Sequence, residues 1–334
     1  MKKIHLNSKY IPLFITISLF IVLFIGGSIA YKGFFSLQNV LNLLIDNAFL
    51  IIAALGATLV IISGGIDLSI SSVIALASMI SAYLLTIMHM NAYVVIIIVL
   101  VVGITFGGVQ GILVTHFKFQ PFIATLAGGF IARGLCFIIS TDTIPIDDPF
   151  FITMSSYRIT MPGGTFISIS VIIALVILAA FIFIAHFTKF GRTIYALGGN
   201  EQSARLMGLP ADRTKVLVYT LSGLSSAIAG IVFAFYMLSG YGNNATGLEM
   251  DAVAGAVIGG TLMTGGVGLV VGTLFGVLIE GTIQLIIMFQ GNLSSWWTRI
   301  AIAALLLIFI VIQRIIVIKR EGKKRINIVE SISD

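Results

Sequence analysis

The chain has 334 residues, of which 58% are apolar and 10% are charged, and its mean hydropathy is +1.13. Soluble globular domains are about half apolar and about one quarter charged, so this composition excludes them. The formal net charge of +6 comes from basic residues scattered over short connections and the tail, which does not indicate a nucleic-acid-binding surface.

Apolar stretches of about 20 residues, the length that crosses a hydrocarbon core about 30 Å thick, recur from Ile11 to Ile318. The first, from Ile11 to Ala30, is longer than the apolar region of a cleaved signal peptide and is followed by many others, so we predict an uncleaved first helix. We predict about ten spans, near residues 11–31, 46–63, 69–88, 93–115, 122–141, 166–187, 216–238, 251–264, 267–289 and 298–318. The alternative for residues 46–88 and 251–289 is a set of broken or re-entrant helices, which would change the count by one or two. The predicted fold is an all-α integral-membrane bundle over residues 1–320 with a polar cytoplasmic tail over residues 321–334.

The basic residues predict the orientation of the bundle, because cytoplasmic loops retain an excess of Lys and Arg. With ten spans and an inside N-terminus, the cytoplasmic segments contain Lys2, Lys3, Lys9, Lys118, Lys189, Arg192, Arg205, Arg213, Lys215, Arg314, Lys319, Arg320, Lys323, Lys324 and Arg325. The remaining basic residues are Lys32, Arg133, Arg158 and Arg299. Both termini are therefore predicted to be cytoplasmic.

Two segments, one in each half of the chain, resemble each other and carry paired glycines. SGGIDLSISSVIAL begins at Ser63 and TGGVGLVVGTLFGV begins at Thr264. Non-helical backbone at membrane depth is tolerated only where protein or water covers its polar groups. Corresponding glycine-interrupted segments are typical of transporter pathways, whereas glycines alone also serve close helix packing. The duplication favours a pathway and an internal repeat of broken helices, with the candidate residues Gly64, Gly65, Asp67, Ser69, Gly265 and Gly266.

Five ionisable residues fall within or beside predicted spans, where an acidic or basic group costs about 2.5 to 3.5 kcal/mol to insert. Asp46 and Asp251 stand at the predicted starts of two short spans, where a carboxylate suits the positive end of a helix dipole. Asp67 follows the first glycine pair, and its simplest role is to cap the next helix by accepting backbone N–H bonds. Arg133 and Glu280 are interpreted as internal polar contacts or boundary residues.

The longest predicted cytoplasmic connection is also the most polar internal stretch. It reads FGRTIYALGGNEQSARLMGLPADRTK from Phe190. Its core predicts a short helix that is capped by Asn200, carries Glu201 in its first turn and stops at Gly208 and Pro210. The helix lacks the basic amphipathic face that would hold it on lipid headgroups. We therefore predict a docking surface for a soluble partner.

Several of these motifs together resemble the permeases of bacterial ribose-type sugar importers. The matching segments are SGGIDLSISS at Ser63, GRTIYALGGNEQSARLMGL at Gly191 and TGGVG at Thr264. The galactofuranose-type branch of that family is similar at DNAFL from Asp46, TIPID from Thr143, MPGG from Met161 and SSWWTRIAIA from Ser294. The similarity covers nearly the whole chain, but the tail beyond Arg320 matches no part of the pattern.

The resemblance implies a permease subunit of an ATP-binding-cassette importer in the bacterial inner membrane. Two permease subunits would pair, as two copies or as two different chains, while two cytoplasmic ATPase subunits hydrolyse ATP and an extracytoplasmic binding protein delivers the sugar. By the same resemblance, the ATPase-contacting loop would include Gly199, Asn200, Glu201, Ala204 and Gly208. The chain has no GxxxxGK[ST] loop, so ATP would be bound by another chain, and no cofactor is implied.

Two other functions are weighed against this one. An ion-coupled secondary sugar transporter fits the duplicated broken helices, but intramembrane carboxylates are sparse. An integral-membrane enzyme would need a converging set of His, Asp or Glu, which the sequence does not indicate, and Ser63 has no obvious base partner.

The single cysteine, Cys136, excludes an internal disulfide, and no Cys/His cluster has metal-ligand spacing. The sugar itself stays open among pentoses, hexofuranoses and related small polyols.

Overall fold

The computed structural model describes residues 11–161, 163–294 and 296–333, which form a bundle of α-helices. The helices are α1 (Ile11–Ala30), α2 (Leu37–Asp46), α3 (Ala48–Ile62), α4 (Ile70–Ala82), α5 (Ala92–Thr115), α6 (Pro121–Ile139), α7 (Pro149–Ser156), α8 (Ile169–Phe187), α9 (Lys189–Gly199), α10 (Glu201–Leu206), α11 (Ala211–Met237), α12 (Leu248–Ile258), α13 (Val270–Gln290) and α14 (Trp296–Ser333). A π-helical turn, Tyr83–Ile87, extends α4. The predicted all-α polytopic fold is confirmed. Among the basic residues predicted to be cytoplasmic, Lys2, Lys3 and Lys9 lie outside the described residues.

Four short strands form two antiparallel pairs at the margin of the bundle. Strand β1 (Ile144–Pro145) pairs with β4 (Ser239–Gly240). Strand β2 (Arg158–Thr160) pairs with β3 (Phe166–Ser168) as a hairpin. Because α8 starts directly after β3 and ends directly before α9, the hairpin and α9 lie at opposite ends of that helix. We call the end with α9 and α10 the loop end, and the end with α7 and the β2–β3 hairpin the cap end.

The number of candidate spans among the described residues is eight or nine, against about ten predicted. Among the described residues, eight helices are long and apolar enough to cross a membrane, and α2 with α3 makes a ninth candidate that is bent by 56°. The predicted span over residues 251–264 is instead the 11-residue helix α12. A helix of that length rises about 16 Å, roughly half of a hydrocarbon core, so α12 does not cross by itself. Hydropathy alone counted it as a span because the apolar sequence continues through the break.

Helix α11 lies at the centre of the bundle and packs against α3, α4 and α5. Its approach to α5 depends on a stripe of small residues, Gly103, Gly107 and Gly111. A methyl group built on Gly107 would lie 2.2 Å from the carbonyl oxygen of Tyr219 on α11, so the two backbones are in direct contact. Small residues permit this packing in membranes, where the hydrophobic effect does not drive helices together. The outward faces of α5 and α6 expose large apolar side chains such as Ile97, Phe130 and Ile138, as lipid-facing surfaces do.

Candidate functional site

The predicted short helix in the polar loop is present as α10, Glu201–Leu206. The side-chain oxygen of Asn200 accepts a hydrogen bond from the backbone N–H of Ser203 over 2.8 Å, which confirms Asn200 as the cap. The chain then turns at Gly208, whose φ of +75° suits glycine. Ala204 is fully buried against the bundle, while Glu201 keeps part of its surface accessible. The sequence did not separate α9, Lys189–Gly199, which lies directly before α10.

An ionic network ties α10 to the start of α11. The carboxylate of Glu201 accepts hydrogen bonds from Lys215 and, over 3.0 Å, from Arg205, and Arg205 also pairs with Asp212. Although partial burial acts to raise the pKa of Glu201, the bonds from Lys215 and Arg205 lower it below its usual value. Exposed pairs contribute little to global stability, so the network serves mainly to orient α10.

Beside α10, three stretches of backbone meet at what we call the glycine junction, formed by Ile62, Gly64, Gly198, Gly199, Gly265 and Gly266. The backbone N–H of Gly266 donates to the carbonyl oxygen of Ile62 over 2.8 Å. A methyl group on Gly198 would lie 1.7 Å from that same oxygen, and one on Gly265 would lie 2.9 Å from the Cα atom of Gly64. The end of α9 is therefore in backbone contact with both helix breaks.

Tyr195 gives α9 a second attachment to the break between α12 and α13. Its hydroxyl group donates a hydrogen bond to the carbonyl oxygen of Gly268 over 2.9 Å. Burial raises the pKa of Tyr195 to about 12, so the phenol stays protonated and able to donate. Neither contact was predicted from the sequence, although Gly198 stands in the Gly198–Gly199 pair of the loop motif.

The two broken helices end in the same way, but not in the register that the sequence repeat suggested. After α3, Gly64 has a φ of +85° and donates to Ile61, while Gly65 donates to the carbonyl oxygen of Val60. After α12, Gly260 has a φ of +94° and donates to Val257, while Thr261 donates to Ala256. Both patterns are the Schellman helix ending. By geometry the counterpart of Gly64 is thus Gly260, rather than Gly265.

Asp67 is the centre of a buried polar cluster between α3 and α4. Its Oδ1 atom accepts from the backbone N–H of Ser69 over 2.9 Å, which is the predicted helix-start cap, and from the Ser69 hydroxyl over 2.6 Å. Its Oδ2 atom accepts from the hydroxyl group of Ser222 on α11 over 2.7 Å. The side-chain oxygen of Gln110 lies 3.1 Å from the Ser69 hydroxyl. Asp67 thereby connects the first break to α5 and α11, and Ser222 and Gln110 had no sequence signal.

The other ionisable candidates lie apart from the glycine junction. Arg133 donates to the carbonyl oxygens of Gly242 and Asn244 over 2.6 and 2.7 Å, which confirms the interpretation of an internal polar contact. Glu280 is 3% exposed, and its carboxylate oxygens have no hydrogen-bond partner among the described residues.

The two aspartates at the predicted span starts differ in position. Asp251 lies in the first turn of α12, as predicted. Asp46 is instead the last residue of α2, because the helix bends there and α3 begins at Ala48. The dipole argument therefore holds for Asp251 and does not apply to Asp46 as stated.

Comparison with known proteins gives concordant matches. The family described as "Branched-chain amino acid transport system / permease component" matches residues 39–311. The inner membrane ABC transporter permease protein YjfF of Escherichia coli (strain K12) is 44% identical over 327 residues, covering 96% of this chain and 99% of the relative. The fructose import permease protein FruG of Bifidobacterium longum is 37% identical, covering 97% and 96%. The ribose import permease protein RbsC of Bacillus subtilis is 37% identical, covering 94% and 96%. No solved structure matches the chain.

Proposed function

The chain belongs to the permease-component family of ATP-binding-cassette transport systems, and its relatives include sugar import permeases, so we propose that it carries a small sugar across the inner membrane. Galactofuranose or a similar furanose is the proposed cargo, supported by the branch-specific motifs at Asp46, Thr143 and Ser294. The relatives are membrane subunits and not enzymes, so we assign ATP hydrolysis to a partner chain.

The observation that carries this proposal is the backbone contact between the end of α9 and both helix breaks. We propose that a cytoplasmic ATPase subunit docks on α10 and its flanks, at Gly199, Asn200, Glu201, Ala204 and Gly208. Movement of α10 then reaches α9, which lies directly before it. Through Gly198, the same movement reaches the ends of α3 and of the α12–α13 break.

Alternating access follows if nucleotide binding favours one arrangement of these contacts over the other. A ligand shifts a conformational equilibrium only by its differential affinity for the two states. ATP-driven closure of the partner ATPases would thus displace α10, and the breaks at Gly64 and Gly265 would respond as hinges. Gly64, Gly65, Asp67, Ser69, Gly265 and Gly266 stay our candidates for the moving part of the translocation pathway.

The charge distribution supports a cytoplasmic loop end and cytoplasmic termini. Lys189 and Arg192 belong to α9 and Arg213 to the first turn of α11, the helices that flank α10 in the chain, whereas Asp142 and Asp147 lie near the cap end. Positive loops stay inside. We therefore propose that the extracytoplasmic sugar-binding protein delivers its cargo at the cap end, and that a second permease chain completes the channel.

The first test is co-purification of the tagged chain from its native membrane, with identification of the bound chains and an assay of vanadate-sensitive ATPase activity. We expect an ATPase subunit and a second permease to accompany it. A chain that arrives alone, without ATPase activity, would instead support the ion-coupled secondary transporter, which the relatives do not favour.

A charge reversal tests the docking surface itself. Glu201→Arg places a cation beside Arg205 and Lys215, so we expect loss of the bound ATPase and of ATP-dependent uptake while membrane insertion continues. Asp142→Arg makes the same change of charge at an exposed position near the cap end and should retain the ATPase. Equal ATPase retention by the two variants would refute the docking assignment.

A further inference from the structure

A cavity of about 230 Å³ lies at the cap end, opposite to α10. It is bounded by α2, α3, α7, the β2–β3 hairpin and the ends of α8 and α11 nearest the hairpin. Pockets for drug-sized ligands measure about 300 to 1,000 Å³, so this volume suits a single small ring. Its lining combines aromatic rings with polar side chains, among them Phe49, Phe166, Tyr236, Ser155, Arg158 and Ser168.

The β2–β3 hairpin presents one face to this cavity. Arg158 and Ser168 are directly opposite each other in the strand pairing, and Phe166 lies two residues from Ser168, on the same face because side chains alternate. The Arg158 guanidinium carbon lies 4.3 Å from the centroid of the Phe166 ring. Gln38 of α2 fixes the strand in place, since its side-chain oxygen accepts from the backbone N–H of Phe166 over 3.0 Å.

The polar groups of the lining have unused hydrogen-bonding capacity. Ser168 is 9% exposed, and its hydroxyl oxygen is buried without a hydrogen-bond partner among the described residues. No carboxylate among the described residues forms an ion pair with Arg158. The guanidinium group carries five N–H donors in a planar fork, so it can bond two neighbouring oxygen atoms of one ligand. Buried polar groups normally have a hydrogen-bond partner, so the unbonded hydroxyl group of Ser168 indicates that a ligand supplies the partner.

The aromatic part of the lining is held by its neighbours. The rings of Phe49 and Phe233 meet edge to face at a centroid distance of 5.1 Å, and Phe49 lies 5.9 Å from Tyr236. Such contacts limit the rotation of Phe49 and leave a preformed apolar surface. A ligand with an apolar face and several hydroxyl groups matches this lining, and that is the chemistry of a monosaccharide ring.

We propose that this cavity is a binding site for one monosaccharide ring on the extracytoplasmic half of the transport route. The apolar face of the ring packs on Phe49 and Tyr236, and its hydroxyl groups bond with Arg158 and Ser168. The assignment rests on the proposed function, because that function makes a sugar the cargo and places the cap end outside.

Protection of an introduced thiol tests the site directly in the complete importer reconstituted in lipid nanodiscs. Cys136 is the single native cysteine, so Ser168→Cys in a Cys136→Ser background offers one thiol in the cavity, and Ser156→Cys offers an exposed one on the same α7–hairpin unit outside it. The probes are ribose, fructose and methyl galactofuranoside, with leucine and inorganic phosphate as non-sugar comparisons. We expect at least one sugar to slow thiosulfonate labelling of Ser168→Cys about tenfold, and to leave Ser156→Cys unchanged.

Each other result overturns the proposal. Protection by phosphate alone would make the cavity an anion site, and equal labelling with and without every sugar, or no labelling at all, would exclude a sugar site. A transport assay separates this failure from failure of the proposed function. If the wild-type importer takes up sugar with ATP, but Arg158→Gln and Ser168→Ala leave the half-saturating sugar concentration within twofold of wild type, the cavity assignment fails while the importer assignment stands. Arg299→Gln, a cap-end arginine outside the cavity, is the matched control for Arg158→Gln.

Discussion

The backbone N–H of Gly266 donates a hydrogen bond to the carbonyl oxygen of Ile62 over 2.8 Å, and this bond joins the second helix break to the end of α3. The two residues are far apart in the chain and belong to different halves of it. Because Gly198 of α9 lies against the same carbonyl oxygen, one contact point serves three segments. The proposed coupling between α10 and the two breaks depends on this point.

Adding one methyl group at Gly198 should separate the three segments. The new Cβ atom of Gly198→Ala would lie 1.7 Å from the carbonyl oxygen of Ile62, so the backbone of α9 or of α3 would have to shift. We expect a loss of stability of about 1 to 3 kcal/mol, the usual cost of overpacking, and a larger loss of ATP-dependent uptake. Gly199→Ala adds the same group one residue later into open space and should keep its stability. Equal melting temperatures for the two variants in detergent would contradict the junction geometry.

Removing the hydroxyl group of Tyr195 should weaken the attachment of α9 to the second break. Tyr195→Phe loses the bond to the Gly268 carbonyl oxygen and should cost about 0.5 to 1.5 kcal/mol. The phenol should also ionise well above the ordinary tyrosine value of 10.0, because burial raises its pKa to about 12. Difference absorbance of phenolate between wild type and Tyr195→Phe measures this directly. Tyr93→Phe, at an exposed position, is the control, and a Tyr195 titration at the ordinary value of 10.0 would contradict the buried environment.

The hydrogen bonds that the Asp67 side chain accepts should contribute more to stability than its negative charge does. Asp67→Ala removes the acceptor of three hydrogen bonds at once, each worth about 1 to 3 kcal/mol when the donor is left buried, so we expect a loss of at least about 3 kcal/mol. Asp67→Asn keeps one oxygen for Ser69 and should lose markedly less. Unfolding titrations in mixed detergent compare them, with Asp142→Ala expected to stay within about 0.5 kcal/mol of wild type. A neutral effect of Asp67→Ala would remove the cluster from the mechanism.

Acid should loosen α10 through Glu201. Despite the opposing effect of burial, the bonds from Lys215 and Arg205 lower the pKa of Glu201 below its ordinary value of 4.5. A carboxyl group of this kind stabilises the fold fully above its unfolded pKa, and the contribution is lost as the pH falls through the lower folded pKa. We expect hydrogen-exchange protection of α10 to hold down to pH 4.5 and to decline below it.

The Glu201→Gln variant isolates this group from the neighbouring Asp212, which also titrates in acid. It should show weaker protection of α10 at neutral pH and a smaller decline on acidification than wild type, because the neutral amide cannot lose a charge. Identical acid profiles for the two proteins would show that Glu201 does not hold α10. The effect should be small, since exposed ion pairs typically contribute about 0 to 1 kcal/mol.

The sequence by itself determined the local features of this protein. Uninterrupted apolar stretches can only be buried in lipid or protein, so they predicted the all-α membrane bundle. Asn200, Glu201 and Gly208 predicted a helix from capping and turn chemistry that acts within a few residues, and α10 has that cap and that ending. Asp67 was placed correctly at the start of α4 for the same reason, because its bond to Ser69 spans two residues.

Only the tertiary structure decided what these local pieces contact. The bond from Gly266 to Ile62, the contact of Gly198 and the attachment of Tyr195 to Gly268 join segments distant in sequence, and no periodicity or spacing encodes such pairs. The repeat register also depended on backbone geometry, since Gly64 and Gly260 share a positive φ and a helix ending although their neighbouring letters differ. The short length of α12 was hidden because hydropathy measures polarity and not helix continuity. Local chemistry thus fixed the elements, while the way they pack determined the junction and the cavity.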